Sequence, residues 1–327
     1  MRLLKIPVYV LWLMLFFCPG TTYPQFSGGQ DVSFTQQHFI TGCAKYRARV
    51  IQEIEQVLTS LTVLSNSLAA TSSNPEAHYR FSELIVKGTL PENREMSIVP
   101  VTNMMAKIFV EDKFAANVYH EWIRENQFVL MELGFLVSIG LMEEEPPYKL
   151  NSLQALWQEF SFYGFKDDMV LADVGAGNGF LSFILLESGL RLKIVMTEVD
   201  QDFLKLLETK KDKYHIDYKE SQIQLMEGSK TSLGLGQQKV DCIIFREVFH
   251  HLQDPYAILQ DCKKHLNEEG YIVLREATKD LIEKKSERCS KATTYEKIKV
   301  TMDKAGFTLL QETIIDDSYM LKFRPRN

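Results

Sequence analysis

The 327-residue sequence has few cysteines, and none of them has the spacing of a metal site. Its five cysteines are scattered, with no C-x-x-C pair, which argues against a disulfide scaffold and a zinc site. There are no internal repeats and no apolar runs suited to a multi-span membrane protein. The net charge of -6 disfavours non-specific nucleic-acid binding, so no nucleic-acid partner is expected. The proportions of hydrophobic residues (45%) and charged residues (24%) are ordinary for a globular protein. This class is the one that the exclusions above leave.

Residues 1–20 have the pattern of a signal peptide or membrane anchor. Two basic residues precede an uncharged apolar run over residues 6–18, which a Pro-Gly pair then interrupts. As a helix this run would extend about 20 Å, short of the ~30 Å hydrocarbon core. A signal peptide is favoured over an anchor or a mispredicted start. We therefore expect export or a cell-envelope location, with a cytoplasmic location as the alternative. Residues 21–33 are rich in Pro, Gly and Ser and predict a linker.

Helical patterns dominate the next part of the chain, and we predict a helical domain over residues 34–150. Apolar residues recur at steps of three and four between Thr35 and Ala70, which predicts a long helix. A mixed stretch follows, and then two helical patterns over Val101–Val110 and Phe114–Leu141. Helices placed before a second domain often cover a substrate pocket or form a homodimer, and both roles are open here.

A second domain is predicted over residues 151–327, beginning with a short helix at Asn151–Phe162. Short, nearly continuous apolar runs alternate with helical patterns, which suits a doubly wound α/β sheet covered on both faces. The last two strands are joined by only two residues and must therefore be antiparallel. The predicted strands are Val170–Val174, Lys193–Thr197, Ile223–Met226, Val240–Phe245, Tyr271–Leu274, Thr308–Ile315 and Ser318–Arg324.

A glycine-rich turn follows the first of these strands. The segment LADVGAGNGF contains Asp173, Gly175, Gly177 and Gly179, and glycine lets a backbone approach a ligand closely. Phe180 stands where the dinucleotide fingerprint has a glycine or alanine. This difference argues against a nicotinamide oxidoreductase.

Acidic residues end the second and third strands. Glu198 is placed where a carboxylate can accept hydrogen bonds from the hydroxyls of a ribose. Glu227, Gly228 and Ser229 end the third strand, where they can meet an adenine edge or form a plain turn. Because ligands bind at the carboxyl ends of strands in open α/β sheets, all four residues are candidates for one site.

The fourth strand leads into Arg246 and then into three candidates for acid–base chemistry. His250 and His251 are the main candidates, because imidazole titrates near neutral pH. Glu247 is a third, and a packing role is the alternative for each. Two adjacent histidines do not make a metal site, so no metal is predicted.

Residues 166–327 resemble the class I S-adenosylmethionine-dependent methyltransferases, in particular the UbiE-like and type 11 group. The resemblance rests on ADVGAGNG, Glu198, VDCIIFREVFHHLQDP, YIVLREA and the ending AGF followed by a hairpin. It implies a Rossmann-like seven-stranded sheet with an antiparallel last strand, and S-adenosylmethionine as the cofactor. It further implies which residues contact each part of the cofactor. The methionine part contacts Asp173, Gly175, Gly177 and Gly179, and the ribose contacts Glu198. The adenine contacts Glu227, Gly228 and Ser229, and Arg246 lines the far side of the cofactor.

The expected activity is methyl transfer to a small-molecule or lipid-like acceptor. The alternative is a catalytically degenerate domain that keeps the cofactor and acts by binding a partner. Membrane association is expected only through the N-terminus.

Overall fold

The computed structural model describes residues 33–88, 113–138, 150–214, 222–281 and 291–326. The predicted signal peptide or anchor and the predicted helix at Val101–Val110 lie outside these residues, as does the linker apart from Ser33. Within the described ranges, no helix combines the length and the apolarity needed to cross a membrane.

Among the residues that the structure describes, four helices precede the sheet: α1 (Gln36–Thr71), α2 (Pro75–Gly88), α3 (Lys113–Ser138) and α4 (Leu150–Tyr163). Three of them were predicted, whereas α2, which begins at Pro75, falls in the mixed stretch for which no helix was predicted. Proline is favoured in the first turn of a helix, where its missing N–H costs nothing. Ala77 and Phe81 of α2 are buried in a cluster with α1 and α3.

The sheet has seven strands in the order β3-β2-β1-β4-β5-β7-β6. Strand β7 is antiparallel to both of its neighbours, and the other pairs are parallel. This confirms the predicted Rossmann-like fold with a terminal antiparallel hairpin. The strands are β1 (Val170–Val174), β2 (Lys193–Glu198), β3 (Ile223–Glu227), β4 (Val240–Arg246), β5 (Leu266–Glu276), β6 (Phe307–Ile315) and β7 (Ser318–Pro325).

Helices cover both faces of the sheet, as the continuous apolar strands require. The connecting helices are α5 (Phe180–Glu187), α6 (Gln201–Tyr214), α7 (Pro255–His265) and α8 (Tyr295–Lys304). One core cluster joins the sheet to α1, α4 and α5, and a second joins it to α7 and α8. The carboxyl ends of β1, β2, β3, β4 and β5 therefore meet at one edge between two packed layers.

Helix α1 takes part in two apolar clusters. Its first half contributes Phe39, Cys43 and Tyr46 to the core shared with the sheet, and its second half packs on α2 and α3. At Gly42 the helix crosses α5 closely, since a Cβ there would lie 2.3 Å from the carbonyl oxygen of Ile184. The predicted boundary between residues 150 and 151 stays a prediction.

Candidate active site

The glycine-rich turn forms an open loop between β1 and α5. Gly175, Gly177 and Gly179 have φ values of 66°, 56° and 77°, a region that disfavours other residues. A Cβ at Gly175 would lie 2.7 Å from the side chain of Val248, whereas a Cβ at Gly177 would meet no atom within 4 Å. Glycine at 175 is therefore required by packing, and glycine at 177 leaves space above the loop for a ligand.

Glu198 lies directly beside this loop. Its side chain is buried, and its Oε2 accepts a hydrogen bond from the backbone N–H of Gly177 at 3.0 Å. Its Oε1 accepts from the N–H of Val199 at 2.8 Å, while Asp200 accepts from the N–H of Asp202 at the start of α6. The capping of α6 thus belongs to Asp200, and Glu198 is oriented toward the loop. Its role toward a ribose stays a prediction.

Asp173 lies in the interior beneath the loop. It is 3% exposed, and the hydroxyl of Ser182 on α5 donates to its Oδ2 at 2.7 Å. Burial raises the pKa of Asp173 to about 6. Ser182 was not identified from the sequence, because its distance from Asp173 depends on how α5 folds back on β1.

The residues that end β3 have three different environments. Glu227 is exposed and accepts from the amide of Gln201 at 2.7 Å. The N–H of Gly228 donates to the carbonyl of Glu198 at 2.9 Å, which ties β3 to β2. The hydroxyl oxygen of Ser229 accepts from the N–H of Ser232 at 3.1 Å, so Ser229 closes the turn that was the alternative for this segment.

His250 is held by a buried carboxylate at the end of β5. Its Nδ1 is hydrogen-bonded to Oε1 of Glu276, and the two side chains are 6% and 0% exposed. Burial raises the pKa of Glu276. Among the described side chains, Oε2 of Glu276 and Oγ1 of Thr278 are buried atoms without a hydrogen-bond partner. The segment YIVLREA contained Glu276, but its carboxylate was not identified as part of the site.

The two other acid–base candidates differ from His250. His251 is exposed, although partial burial and the neighbouring His250 lower its pKa. Glu247 has φ 56° and accepts from the N–H of Ala277 at 3.0 Å and the hydroxyl of Ser318 at 3.2 Å. Its carboxylate is therefore engaged with the chain just after β5 and with the start of β7.

Three side chains here lie close enough together to be considered as a metal site. They are Glu247, His250 and Glu276, and one possible ligand atom from each lies within 4.8 Å of the other two. Arg275 is ion-paired with Glu247 at this place, and a guanidinium would repel a metal cation there. We therefore assign these contacts to hydrogen bonding and ion pairing.

Arg246 extends from the end of β4 toward α4. Its Nε lies 2.7 Å from Oε1 of Glu159, and its guanidinium lies over the ring of Phe180 at 5.4 Å from the centroid. The predicted cofactor residues of the first, second and fourth strands thus meet around the start of α5. Glu159, more than 80 residues away from Arg246 in the chain, was not identified from the sequence.

Part of the chain is similar to known methyltransferases. Residues 172–274 match the family model described as "Methyltransferase domain". The chain is 29% identical over 132 residues to the ubiquinone biosynthesis O-methyltransferase of Glaesserella parasuis serovar 5 (strain SH0165), covering 40% of this chain and 54% of the relative. The enzyme of the same name from Histophilus somni (strain 2336) is also 29% identical over 132 residues, which cover 39% of this chain and 52% of the relative. The chain thus spans about half the length of the curated relatives it matches.

Solved structures of methyltransferases are among the matches to this chain. A S-adenosylmethionine-dependent methyltransferase from Aquifex aeolicus matches with a TM-score of 0.45 and 16% identity, covering 51% of this chain and 87% of that one. The glycopeptide N-methyltransferase MtfA, solved with S-adenosylmethionine, matches with a TM-score of 0.42 and 12% identity, covering 53% and 86%. Both TM-scores lie below 0.5, so neither match bears on the fold or the activity of this chain.

Proposed function

We propose that residues 166–327 form a class I S-adenosylmethionine-dependent methyltransferase domain. This domain transfers a methyl group from S-adenosylmethionine to a hydroxyl oxygen of a small or lipid-like acceptor. The observation that carries the proposal is the hydrogen bond from the N–H of Gly177 to the carboxylate of Glu198. It joins the glycine-rich loop to the second strand at the sheet edge where ligands bind in this fold.

The residues at this edge fit the cofactor. Gly177 leaves room above the loop, and Glu198 offers carboxylate oxygens to ribose hydroxyls beside it. Glu227 is exposed at the end of the next strand, within the region expected for adenine. S-adenosylmethionine supplies a methyl group that its positively charged sulfur already activates. The protein then has to position the acceptor and remove a proton.

His250 is the proposed general base. Glu276 is hydrogen-bonded to Nδ1 of the imidazole and orients the ring, and the ring takes the proton of the acceptor hydroxyl as its oxygen attacks the methyl group. An acceptor hydroxyl suits a general base at this place, and the matched relatives are named O-methyltransferases.

No observation favours the degenerate alternative. Asp173, the three glycines and Glu198 are all present and assembled around one loop, which supports cofactor binding, and methyl transfer is what separates the two alternatives. Export or anchoring through residues 1–20 and a homodimer through residues 34–150 remain proposals. They can be tested by fractionating cells that express the tagged full chain and by sedimentation of the purified protein.

Calorimetric titration of the full chain tests the proposed function. We expect S-adenosylmethionine and S-adenosylhomocysteine to bind and NAD not to bind. Glu198→Ala should weaken binding of both ligands by about tenfold or more, because it removes a charge-assisted hydrogen-bond acceptor. The matched control is Glu208→Ala, an exposed acid on α6, which should bind as the wild type does.

Two results would contradict the proposal. A folded wild-type protein that binds neither ligand would refute it. Cofactor binding without methyl transfer to any of a panel of phenols, catechols and hydroxylated lipids would favour the degenerate domain.

A further inference from the structure

A buried carboxylate from α4 faces two guanidinium groups at the carboxyl ends of β4 and β5. Glu159 is 2% exposed. Its Oε1 lies 2.7 Å from Nε of Arg246, and its Oε2 lies 3.0 Å from Nε of Arg275. The hydroxyl of Tyr163 also donates to Oε1 at 2.6 Å. One turn of α4 is thus connected to two neighbouring strand ends.

Glu159 is ionised in this setting. Burial acts to raise its pKa, but the charges of Arg246 and Arg275 outweigh burial and hold the pKa below its ordinary value. Arg275 makes a further ion pair with Glu247. The network therefore contains two guanidinium groups and two carboxylates, and their charges balance.

The network lies beside the glycine-rich loop. Val174 pairs with Phe245 in the parallel register of β1 and β4, so Arg246 and Gly175 follow side by side. The guanidinium of Arg246 also covers the ring of Phe180, the first residue of α5. The charge of Arg246 reaches Asp173, where it partly offsets the rise in pKa that burial causes. A positive charge is therefore placed at the loop assigned to the cofactor.

This placement matters because the two forms of the cofactor differ in charge. The sulfur of S-adenosylmethionine is a sulfonium cation, and the sulfur of S-adenosylhomocysteine is a neutral thioether. In a water-poor site, a guanidinium without a counter-charge repels the first and not the second. An unbalanced network would thus favour the product over the methyl donor.

We propose that Glu159 is a positioning residue that neutralises Arg246 and Arg275, so that the site accepts a sulfonium, and that it thereby sets the relative affinity for S-adenosylmethionine and S-adenosylhomocysteine. The inference rests on the proposed function and extends it to a residue of α4. It differs from a role of Arg246 in binding the carboxylate of the methionine part. That group is common to both ligands, so disturbing its contact would weaken both equally.

Calorimetry of the full chain with the two ligands tests this inference. In Glu159→Gln the ratio of the Kd for S-adenosylmethionine to the Kd for S-adenosylhomocysteine should rise about tenfold, as expected for one uncompensated charge nearby. The double variant Glu159→Gln/Arg275→Gln restores the charge balance. Its ratio should return to within about twofold of the wild-type ratio.

Glu187→Gln is the matched control. Glu187 is also buried and ion-paired, with Arg49, but it ends α5 at the opposite end from the glycine-rich loop. This variant should lose stability without changing the ratio of the two Kd values. It separates the effect of charge at the site from the general effect of removing a buried carboxylate.

An unchanged ratio in Glu159→Gln, or an equal loss of both affinities, would overturn the inference. If Glu159→Gln does not fold, Glu247→Gln leaves the same excess charge at a side chain that is 28% exposed, and its ratio must rise for the inference to stand. A wild-type protein that binds neither ligand would refute the proposed function itself. Binding of both ligands with an unchanged ratio in the variants would refute only the role of Glu159.

Discussion

At the scale of single residues, burial changes what a candidate can do. Asp173 was predicted as a cofactor contact, and the structure places it beneath the loop with Ser182 as its hydrogen-bond donor. Its pKa is raised to about 6, whereas an unfolded aspartate titrates near 3.9. Between these values the folded chain keeps a proton that the unfolded chain releases.

The contribution of Asp173 to the free energy of unfolding should therefore fall as the pH rises from about 4 to about 6, because in this window Asp173 is protonated in the native state and ionised in the unfolded state. Asp173→Asn removes this contribution. The variant should be more stable than the wild type by about 2–3 kcal/mol at pH 8, with the difference vanishing near pH 4. Denaturant unfolding over this pH range measures the difference, with the exposed Glu208→Gln as control. A difference independent of pH would contradict the assignment of the pKa.

His250 and His251 are adjacent in sequence, but only His250 is held by Glu276. His250→Gln should lower kcat by about 100-fold and abolish the rise of the rate with pH, because the base that takes the proton is lost. The Kd for S-adenosylmethionine should stay unchanged. His251→Gln, at the exposed neighbour, is the control and should retain kcat. Equal losses in both variants would contradict the role of His250.

At the scale of elements, continuous apolar runs predicted most strands closely, whereas β5 (Leu266–Glu276) extends well beyond the predicted Tyr271–Leu274. The predicted and observed bounds of β1 are identical, because a strand buried on both faces has no polar alternation to blur its ends. Helix α2 was not predicted because the signals at its start are ambiguous. Its signals are a proline and short polar residues, which serve equally well to end one helix and to begin another.

The crossing of α1 and α5 depends on the absence of a side chain at Gly42. Gly42→Ala should place a Cβ against the carbonyl of Ile184 and force the helices apart. We expect a loss of about 1–3 kcal/mol from overpacking, reduced by up to about 1 kcal/mol of helix propensity. Thermal unfolding would show the loss. Gln52→Ala, at an exposed position of α1, should change stability little, and an equally stable Gly42→Ala would contradict the close crossing.

At the scale of the whole molecule, α1 shares a core with the sheet. Phe39, Cys43 and Tyr46 pack in the same cluster as residues of β1, β2 and α5. Residues 151–327 alone correspond to the predicted domain, but without α1 they would expose this apolar surface to water.

A chain of residues 151–327 should therefore bind the dye ANS strongly and unfold at lower temperature than the full chain, because part of its core is uncovered. Dye fluorescence and thermal unfolding of both proteins measure this effect. A truncated chain as stable as the full one would show that α1 is dispensable and would support a boundary at residue 150.

The sequence by itself determined the sheet, its terminal hairpin, the glycine-rich loop and Glu198. These features depend on local patterns: apolar strands, turn residues and glycines that follow a strand. Only the tertiary structure decided the partners of these residues. In each of three contacts the partners come from separate elements of the chain. These contacts are Ser182 with Asp173, Glu276 with His250, and Glu159 with two arginines. The packing of helices on the sheet sets those distances, and no spacing along the chain encodes them.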